Sequence, residues 1–148
     1  MMPPIVKQRV STSSPILARV GAVCYIGWGA FHVKVAHDIF MLGAAQSAIA
    51  QGRLYQLSAY MLSIALFAIV VAALGNWRNS VRSYWLNLIV IGWADLVWVL
   101  VVVLPGYTPL LRGLLPPAVY LLGAVLTTAA RCGTRSRSST ELESTAIE

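Results

Sequence analysis

Residues 55–74, YQLSAYMLSIALFAIVVAAL, form an apolar stretch without a charged side chain. A helix of this length extends about 30 Å, which is the thickness of the hydrocarbon core of a bilayer. The stretch therefore predicts a membrane-spanning helix. It ends at the turn-forming pair Gly75-Asn76, and Arg78 and Arg82 then follow, as is typical of a membrane interface.

Three further apolar blocks predict three more spans, over about residues 16–36, 84–104 and 108–130. Of the 148 residues, 58% are hydrophobic and 11% are charged, whereas soluble domains carry about 25% charged residues. We therefore expect an all-α integral membrane protein, in which residues 16–131 form one four-transmembrane-helix bundle.

The two ends of the chain lack long apolar runs. Residues 1–15 contain Lys7 and Arg9 among Pro, Ser and Thr, and predict a short cytoplasmic leader. Residues 132–148 are rich in Ser and Thr and contain glutamates, which predicts a disordered tail. A secretory signal peptide also has a basic start before an apolar run, but residues 16–36 are long for one, and no small-residue cleavage site follows.

Basic residues are unequally distributed between the two ends of the predicted spans. Because cytoplasmic loops carry an excess of Lys and Arg, the richer end is predicted to face the cytoplasm. Both termini then lie in the cytoplasm, and we expect a multi-pass protein of the inner (plasma) membrane. The richer end has Lys7, Arg9, Arg19, Arg78, Arg82, Arg131, Arg135 and Arg137, and the other end has Lys34, Arg53 and Arg112.

Two segments beside the spans allow two interpretations each. Residues 37–54 are of mixed polarity, and form either a helix that lies on the membrane surface or an extension of the first span. In the fourth block, Pro116 and Pro117 remove two backbone donors. This helix is either kinked there, or it begins at Pro116 after a re-entrant or interfacial segment from residue 108.

Asp95 is the residue that points most directly to a function. It lies near the centre of the third span, in the run IGWADLVW at residues 91–98, where a carboxylate costs about 2.5–3.5 kcal/mol. It must either stay protonated or pair with a polar group of another helix. Its role is then either a hydrogen bond that sets the register of the bundle, or the binding of a proton or ligand.

His32 is the candidate partner of Asp95, because the first and third spans run in the same direction. Relative to the block centres the two residues differ by about five positions, or ~7 Å of helix. Trp28 and Tyr25 share the helix face of His32. This face either packs as an aromatic surface or lines an interior pocket.

Further polar residues gather in the non-cytoplasmic half of the predicted bundle. One interpretation is a solvated interfacial cluster, since Lys34 and Asp38 are four residues apart on one helix. The other is a polar cavity that opens outward, with Asp95 at its floor. The candidate ligand- or proton-binding residues are therefore Asp95, His32, Trp28, Tyr25, Trp98, Tyr60 and Arg112.

Several other kinds of site are disfavoured by spacing. His32 and His37 are five residues apart, so they do not form an i, i+4 metal pair. Cys24 and Cys132 belong to different depths, which argues against an intrachain disulfide. There is no P-loop or GxSxG sequence, and the basic residues flank apolar blocks as they do beside lipid headgroups. We expect no metal, no cofactor and no nucleic-acid partner; a haem held by two histidines would require an oligomer.

The size, the four spans and the single buried acid resemble the small multidrug transporters in architecture. Those proteins hold an essential glutamate in the first helix, whereas residues 16–36 contain no acidic residue. A first span that contains a histidine is also similar to small four-helix bacterial membrane families such as the DoxX-like proteins. Neither resemblance assigns a role to a residue of this chain.

The sequence does not identify one activity. A chain with almost no soluble domain favours an accessory or small-ligand- or lipid-binding membrane protein over an enzyme. Its expected partners are the bilayer, further copies of itself or a larger membrane complex, and a small apolar or amphipathic ligand. The alternatives are a proton-coupled transporter that uses Asp95, and a membrane enzyme in which Asp95 and His32 act as an acid–base pair on a lipid or quinone.

Overall fold

The computed structural model describes the backbone of residues 13–145 and the side chains of residues 15–133. Residues 1–12 of the predicted leader therefore lie outside the described residues. The regular structure in the described part is helical throughout, and confirms an all-α fold with four helices long and apolar enough to span a membrane. The helices are α1 (Ser13–Ala44), α2 (Ala48–Leu74), α3 (Val81–Trp98) and α4 (Leu110–Thr145).

Short loops join the helices, and we call them loop 1 (45–47), loop 2 (75–80) and loop 3 (104–109). Because successive helices reverse direction, loop 2 lies at one end of the bundle and loops 1 and 3 lie at the other. Loop 2 contains a 3-10 turn, Asn76–Arg78, followed by Asn79 in the left-handed conformation. A π-helical turn, Val99–Val103, continues α3.

Of the two interpretations of residues 37–54, the structure selects the helical extension. α1 continues to Ala44 and α2 begins at Ala48, so the two helices stay packed together as far as loop 1. The rings of Phe40 and Tyr55 stack with centroids 4.6 Å apart. Because these contacts continue along both helices, residues 37–54 have partners that a helix lying alone on a membrane surface would lack.

Small side chains let α1 approach α2 closely. A Cβ added to Gly29 would lie 2.9 Å from the Ala65 carbonyl oxygen, and the Ser58 hydroxyl donates to the Ala36 carbonyl at 2.7 Å. These residues recur every seventh position, a spacing that keeps one face turned toward a partner helix when two helices wind around each other. The small buried residues are Ala22, Gly29, Ala36 and Gly43 on α1, and Ser58, Ala65 and Ala72 on α2.

α1 is packed equally closely against α4. A Cβ on Gly21 would lie 3.1 Å from the Gly123 carbonyl oxygen, and a Cβ on Gly123 would lie 3.3 Å from the Gly21 carbonyl oxygen. α3 is held to α4 mainly by side chains, since the Tyr120 hydroxyl donates to the Leu88 carbonyl at 2.9 Å. The helix contacts of α1 with α2 and α4 are therefore the closest in the bundle.

α4 includes residues 110–115, so it does not begin at Pro116. In a regular helix the amide of residue 117 would donate to the carbonyl of Gly113, and Pro117 has no amide hydrogen. The indole Nε1 of Trp98 supplies the missing donor, at 2.9 Å from the Gly113 oxygen. A side chain from α3 thus stabilises the proline-containing turn of α4.

At its other end, α4 continues to Thr145. Residues 132–145 belong to this helix, and residues 146–148 lie outside the described part. Adding a residue to an existing helix avoids the cost of nucleating a new one. The disordered tail stays a prediction from composition.

The helices turn their large apolar side chains outward. Residues such as Leu66, Ile89 and Trp93 are 48%, 61% and 66% exposed. The buried faces instead carry alanines, a few large aromatic rings and several polar groups. In water this distribution would be unfavourable, since large exposed apolar surfaces are normally covered. It suggests a membrane protein.

We predict that Gly29→Ala destabilises the bundle, whereas Gly27→Ala does not. The new methyl group of Gly29→Ala would meet the backbone of α2, but a Cβ at Gly27 meets no atom within 4 Å. Overpacking of this kind costs about 1–3 kcal/mol. The measurement is thermal unfolding of both purified variants in detergent by circular dichroism. Equal stability of the two variants would contradict the close α1–α2 contact.

Candidate functional site

The centre of the candidate site is a contact between α1 and α3. The indole Nε1 of Trp28 lies 3.2 Å from each carboxylate oxygen of Asp95. Both side chains are buried, with 2% of Trp28 and 5% of Asp95 exposed. One neutral N–H donor is therefore shared between the two oxygens.

The buried faces of the two helices bring these residues together. On α3, every fourth residue from Asn87 through Ile91 to Asp95 is buried, which places the three on one face. On α1, Trp28 belongs to the face that also buries Tyr25 and His32. Because α1 and α3 run in the same direction, residues at equal depth meet.

His32 contacts Trp28. Its Nδ1 lies 2.8 Å from the Trp28 carbonyl oxygen, and the two rings stack with centroids 3.7 Å apart. Phe31 packs edge-on against the imidazole at 5.2 Å. His32 is therefore linked to Asp95 through Trp28, and the expectation that it is the direct partner of Asp95 is corrected. The sequence places His32 about five positions from the level of Asp95, and in the structure Trp28, one helical turn before His32, makes the contact.

Asp95 has no cationic partner in the part of the chain that the structure describes. The ion pairs found there are both made by Asp38, with Lys34 at 2.6 Å and with His37 at 3.8 Å. Titratable groups near Asp95 are His32 on α1, behind Trp28, and Tyr120 on α4, which is close enough to interact electrostatically. The carboxyl group is thus enclosed by aromatic and neutral groups.

Tyr25 continues the aromatic face of α1 by one turn toward loop 2. It is fully buried, and its ring centroid lies 6.2 Å from that of Tyr120. With Trp28 and Ile91 it forms the core of the bundle, against Ala68 and Ala72 of α2. The face of α1 that carries Tyr25 and Trp28 is therefore packed in the core as an aromatic face, and a binding site on it stays a prediction.

The remaining candidates lie elsewhere. Trp98 donates to the Gly113 carbonyl and stabilises α4. Tyr60 is 58% exposed, and the Gln56 side chain is its hydrogen-bond partner at 2.6 Å. Arg112 is also exposed. Tyr60 and Arg112 are therefore outside the cluster around Asp95.

The polar cluster near loop 1 has the character of a solvated surface. The side chains of Lys34 and Asp38 are 71% and 56% exposed, and they pair along one helix. The space found beside Trp28 has an apolar lining. The structure therefore favours the interfacial interpretation of this cluster over an outward-opening polar cavity.

An apolar groove of about 280 Å³ separates parts of α1 and α4, and we call it the α1–α4 groove. Phe31 and Leu115 at its rim are 45% and 62% exposed, so the groove opens on the side of the bundle. Trp28 lines it and also donates to Asp95. The lining residues are Gly27, Trp28, Phe31, Leu115, Pro116 and Val119.

Sequence reasoning missed the buried amides. Asn87 on α3 and Asn76 in loop 2 are 0% and 2% exposed. Neither amide makes a hydrogen bond within the described part of the chain. The sequence does indicate that Asn87 is buried, because it lies eight residues before Asp95 and therefore on the same face of α3.

We predict that Trp28 and Asp95 are energetically coupled. Trp28→Phe keeps a ring but removes the donor, which leaves a buried carboxyl group without its partner, at a cost of about 1–3 kcal/mol. In an Asp95→Leu background the same change should cost much less. The measurement is a double-mutant cycle of unfolding free energies in detergent. Equal costs in the two backgrounds would show that the hydrogen bond contributes no stability.

Among the described residues, no group of three or more His, Cys, Asp or Glu side chains lies close enough to hold a metal ion. Comparison with protein-family models, with curated proteins and with solved structures finds no match. The Trp28–Asp95 contact and the α1–α4 groove are therefore the candidate functional features of the chain.

Proposed function

We propose that this chain is a multi-pass membrane protein that binds a small apolar or amphipathic molecule in the α1–α4 groove and catalyses no reaction on it. Four long apolar helices with apolar outward faces support residence in a membrane. The excess of basic residues near loop 2 and the termini supports an orientation with both termini in the cytoplasm. The inner (plasma) membrane is the proposed location.

The observation that carries this proposal is the double role of Trp28. Its ring forms part of the groove wall, and its indole N–H is the donor to the buried Asp95. A molecule in the groove would press on the ring that holds the carboxyl group in place. Occupancy of an apolar groove is thereby connected to a polar group inside the bundle.

The chemistry of the groove indicates the class of ligand. Its lining is aliphatic and aromatic, and its volume of about 280 Å³ is near the lower end of small-molecule sites. Because it opens on the side of the bundle, a ligand would enter from the lipid phase. A single acyl chain or a small apolar compound has the matching shape and polarity.

The enzyme alternative has less support. An acid–base pair must reach the same reacting group, but Trp28 lies between Asp95 and His32 and contacts both. A substrate in the groove would meet the indole ring before it met the carboxyl group. Binding without chemistry is the simpler use of this arrangement.

We predict that Gly27→Leu blocks the groove. Gly27 lines the groove, and its Cβ position is free of neighbours, so a leucine side chain can fill the space without a clash. The matched control is Gly52→Leu on α2, where the Cβ position is equally open. The readout is photo-crosslinking of a diazirine-bearing long-chain alcohol to the reconstituted protein, mapped by mass spectrometry.

Labelling should concentrate on residues 27–31 and 115–119 in the unmodified protein and in Gly52→Leu. In Gly27→Leu it should fall about tenfold, as a loss of ~1.4 kcal/mol in binding would produce. Labelling spread evenly over the outward apolar faces, or unchanged in Gly27→Leu, would exclude the groove as a binding site.

A proton-coupled carrier is a second candidate, favoured by the surroundings of Asp95. The carboxyl group is buried and receives one neutral donor, and it belongs to neither ion pair among the described residues. Protonation of such a group requires no ion pair to break. Because Trp28 contacts both Asp95 and the groove, ligand binding and protonation would be linked.

For a carrier, we predict that Asp95→Asn abolishes proton exchange on ligand binding. The measurement is the pH change in a weakly buffered nanodisc sample when the same diazirine-bearing alcohol, which does not titrate, is added. Asp38→Asn removes an exposed carboxylate and should leave the signal intact. A signal that persists in Asp95→Asn would exclude Asp95 as the exchanging group, and the absence of a signal in the unmodified protein would leave simple binding as the function.

A further inference from the structure

Two buried amides, Asn76 and Asn87, lie on the loop 2 side of Asp95, whereas the buried His32 and Ser58 lie toward loop 1. On α3, Ser83, Asn87, Ile91 and Asp95 follow one another at intervals of four residues, so they form one stripe along the helix. Asn87 is completely buried, and within the described part of the chain neither its amide oxygen nor its amide nitrogen has a hydrogen-bond partner. Buried amides are normally satisfied by protein or by water.

The stripe is connected to loop 2. Ser83 packs so closely on Gly75 that there is no room for a methyl group at that glycine. The next residue, Asn76, is 2% exposed, and both of its amide atoms also lack a partner among the described residues. The first polar group of the α3 stripe therefore lies beside a second unsatisfied amide.

Tyr25 provides a polar group near Ile91, which is the apolar residue of the stripe. It belongs to the same buried cluster as Ile91, and helical side chains lean toward the N-terminus of their helix, which for α1 is the loop 2 end. Its hydroxyl is enclosed beside Thr127 and makes no hydrogen bond of good geometry in the described part. The hydroxyl thus lies between the levels of Asp95 and Asn87.

A cavity at the loop 2 end reaches the same stripe. Its volume is about 400 Å³, and Ser83 and Gly75 form part of its wall together with Arg78. Arg78 is exposed, so the cavity opens to the surface of the bundle. The lining residues are Val70, Val71, Leu74, Gly75, Arg78, Ser80 and Ser83.

We infer that water molecules bind between Asn76, Asn87 and Tyr25 and connect this cavity with Asp95, so that protons reach the carboxyl group from the loop 2 end. The amides and the hydroxyl supply the two to four polar partners that a buried water molecule needs. A hydronium ion in the cavity gives a proton to the first water; each water passes one proton on as it receives one, and the last gives its proton to the carboxylate, so the neutral acid forms and every water is restored without oxidation or reduction. The route is called the α3 polar path.

The surroundings of the path are otherwise neutral. The titratable groups nearest Asp95 are His32 and Tyr25 on α1 and Tyr120 on α4, while α2 contributes Ala65, Ala68 and Ala72 to the buried interior. The cations at the loop 2 end include Arg78, which lines the cavity, Arg131, which donates to the Asn79 carbonyl at 3.4 Å, and Arg19, which lies over the Trp77 ring. Trp28 lines the α1–α4 groove and donates to the carboxyl group, whereas Asn76, Asn87 and Tyr25 are not among the residues that line the groove.

Radiolytic hydroxyl-radical labelling of the full chain in nanodiscs tests the path, because radicals formed from internal water oxidise the side chains beside it. Tyr25 is 0% exposed, so bulk radicals do not reach it. We predict that Tyr25 is nevertheless oxidised in the unmodified protein. Oxidation should fall severalfold in Asn87→Leu, which fills the amide site with an apolar group, and should be unchanged in the exposed-amide control Gln56→Leu.

An unoxidised Tyr25 in the unmodified protein, or equal oxidation in Asn87→Leu and Gln56→Leu, would overturn the inference. Asn76→Leu is a second variant with the same expected loss, should Asn87→Leu fail to fold. Groove crosslinking of the diazirine-bearing alcohol should persist in both asparagine variants. Loss of crosslinking in Gly27→Leu and loss of Tyr25 oxidation in Asn87→Leu therefore report on the two proposals separately.

Discussion

Asp95 and Trp28 connect two helices whose backbones are not in close contact. α1 packs tightly on α2 and α4 through glycine and alanine, whereas α3 is held by side chains. A buried carboxyl group needs a donor, and the indole N–H at 3.2 Å is the one it has. This requirement sets the depth at which α3 sits against α1, and it brings the faces that carry Tyr25, Asn87 and His32 into the interior.

α3 is packed less closely against the other helices than α1 is, and its buried face differs accordingly. Where α1 meets α2, small residues every seventh position bring the two backbones close together, and the hydroxyl of Ser58 there donates to the Ala36 carbonyl. Beside α3 the interior contains large or polar side chains, such as Asn87 on α3 and Tyr25 on α1, which are both fully buried. The bundle therefore combines close contacts of α1 with α2 and α4 and a stripe of polar residues along α3. Trp28 contacts Asp95 of this stripe and also lines the α1–α4 groove.

Much of the architecture follows from sequence. Four apolar blocks of membrane-spanning length correspond to the four helices, and Gly75 marks the end of α2. The central position of Asp95 and the shared face of His32, Trp28 and Tyr25 were also accessible, because they depend on helical periodicity alone.

What the sequence determined by itself is the number of helices, their apolar outward faces and the cost of burying Asp95, because hydropathy and helical spacing are local properties. Only the tertiary structure decided which side chain meets Asp95, that Trp98 satisfies the carbonyl freed by Pro117, and that Asn87 is buried without a hydrogen-bond partner among the described residues. These outcomes depend on the rotation and relative depth of neighbouring helices, which contacts between distant residues set.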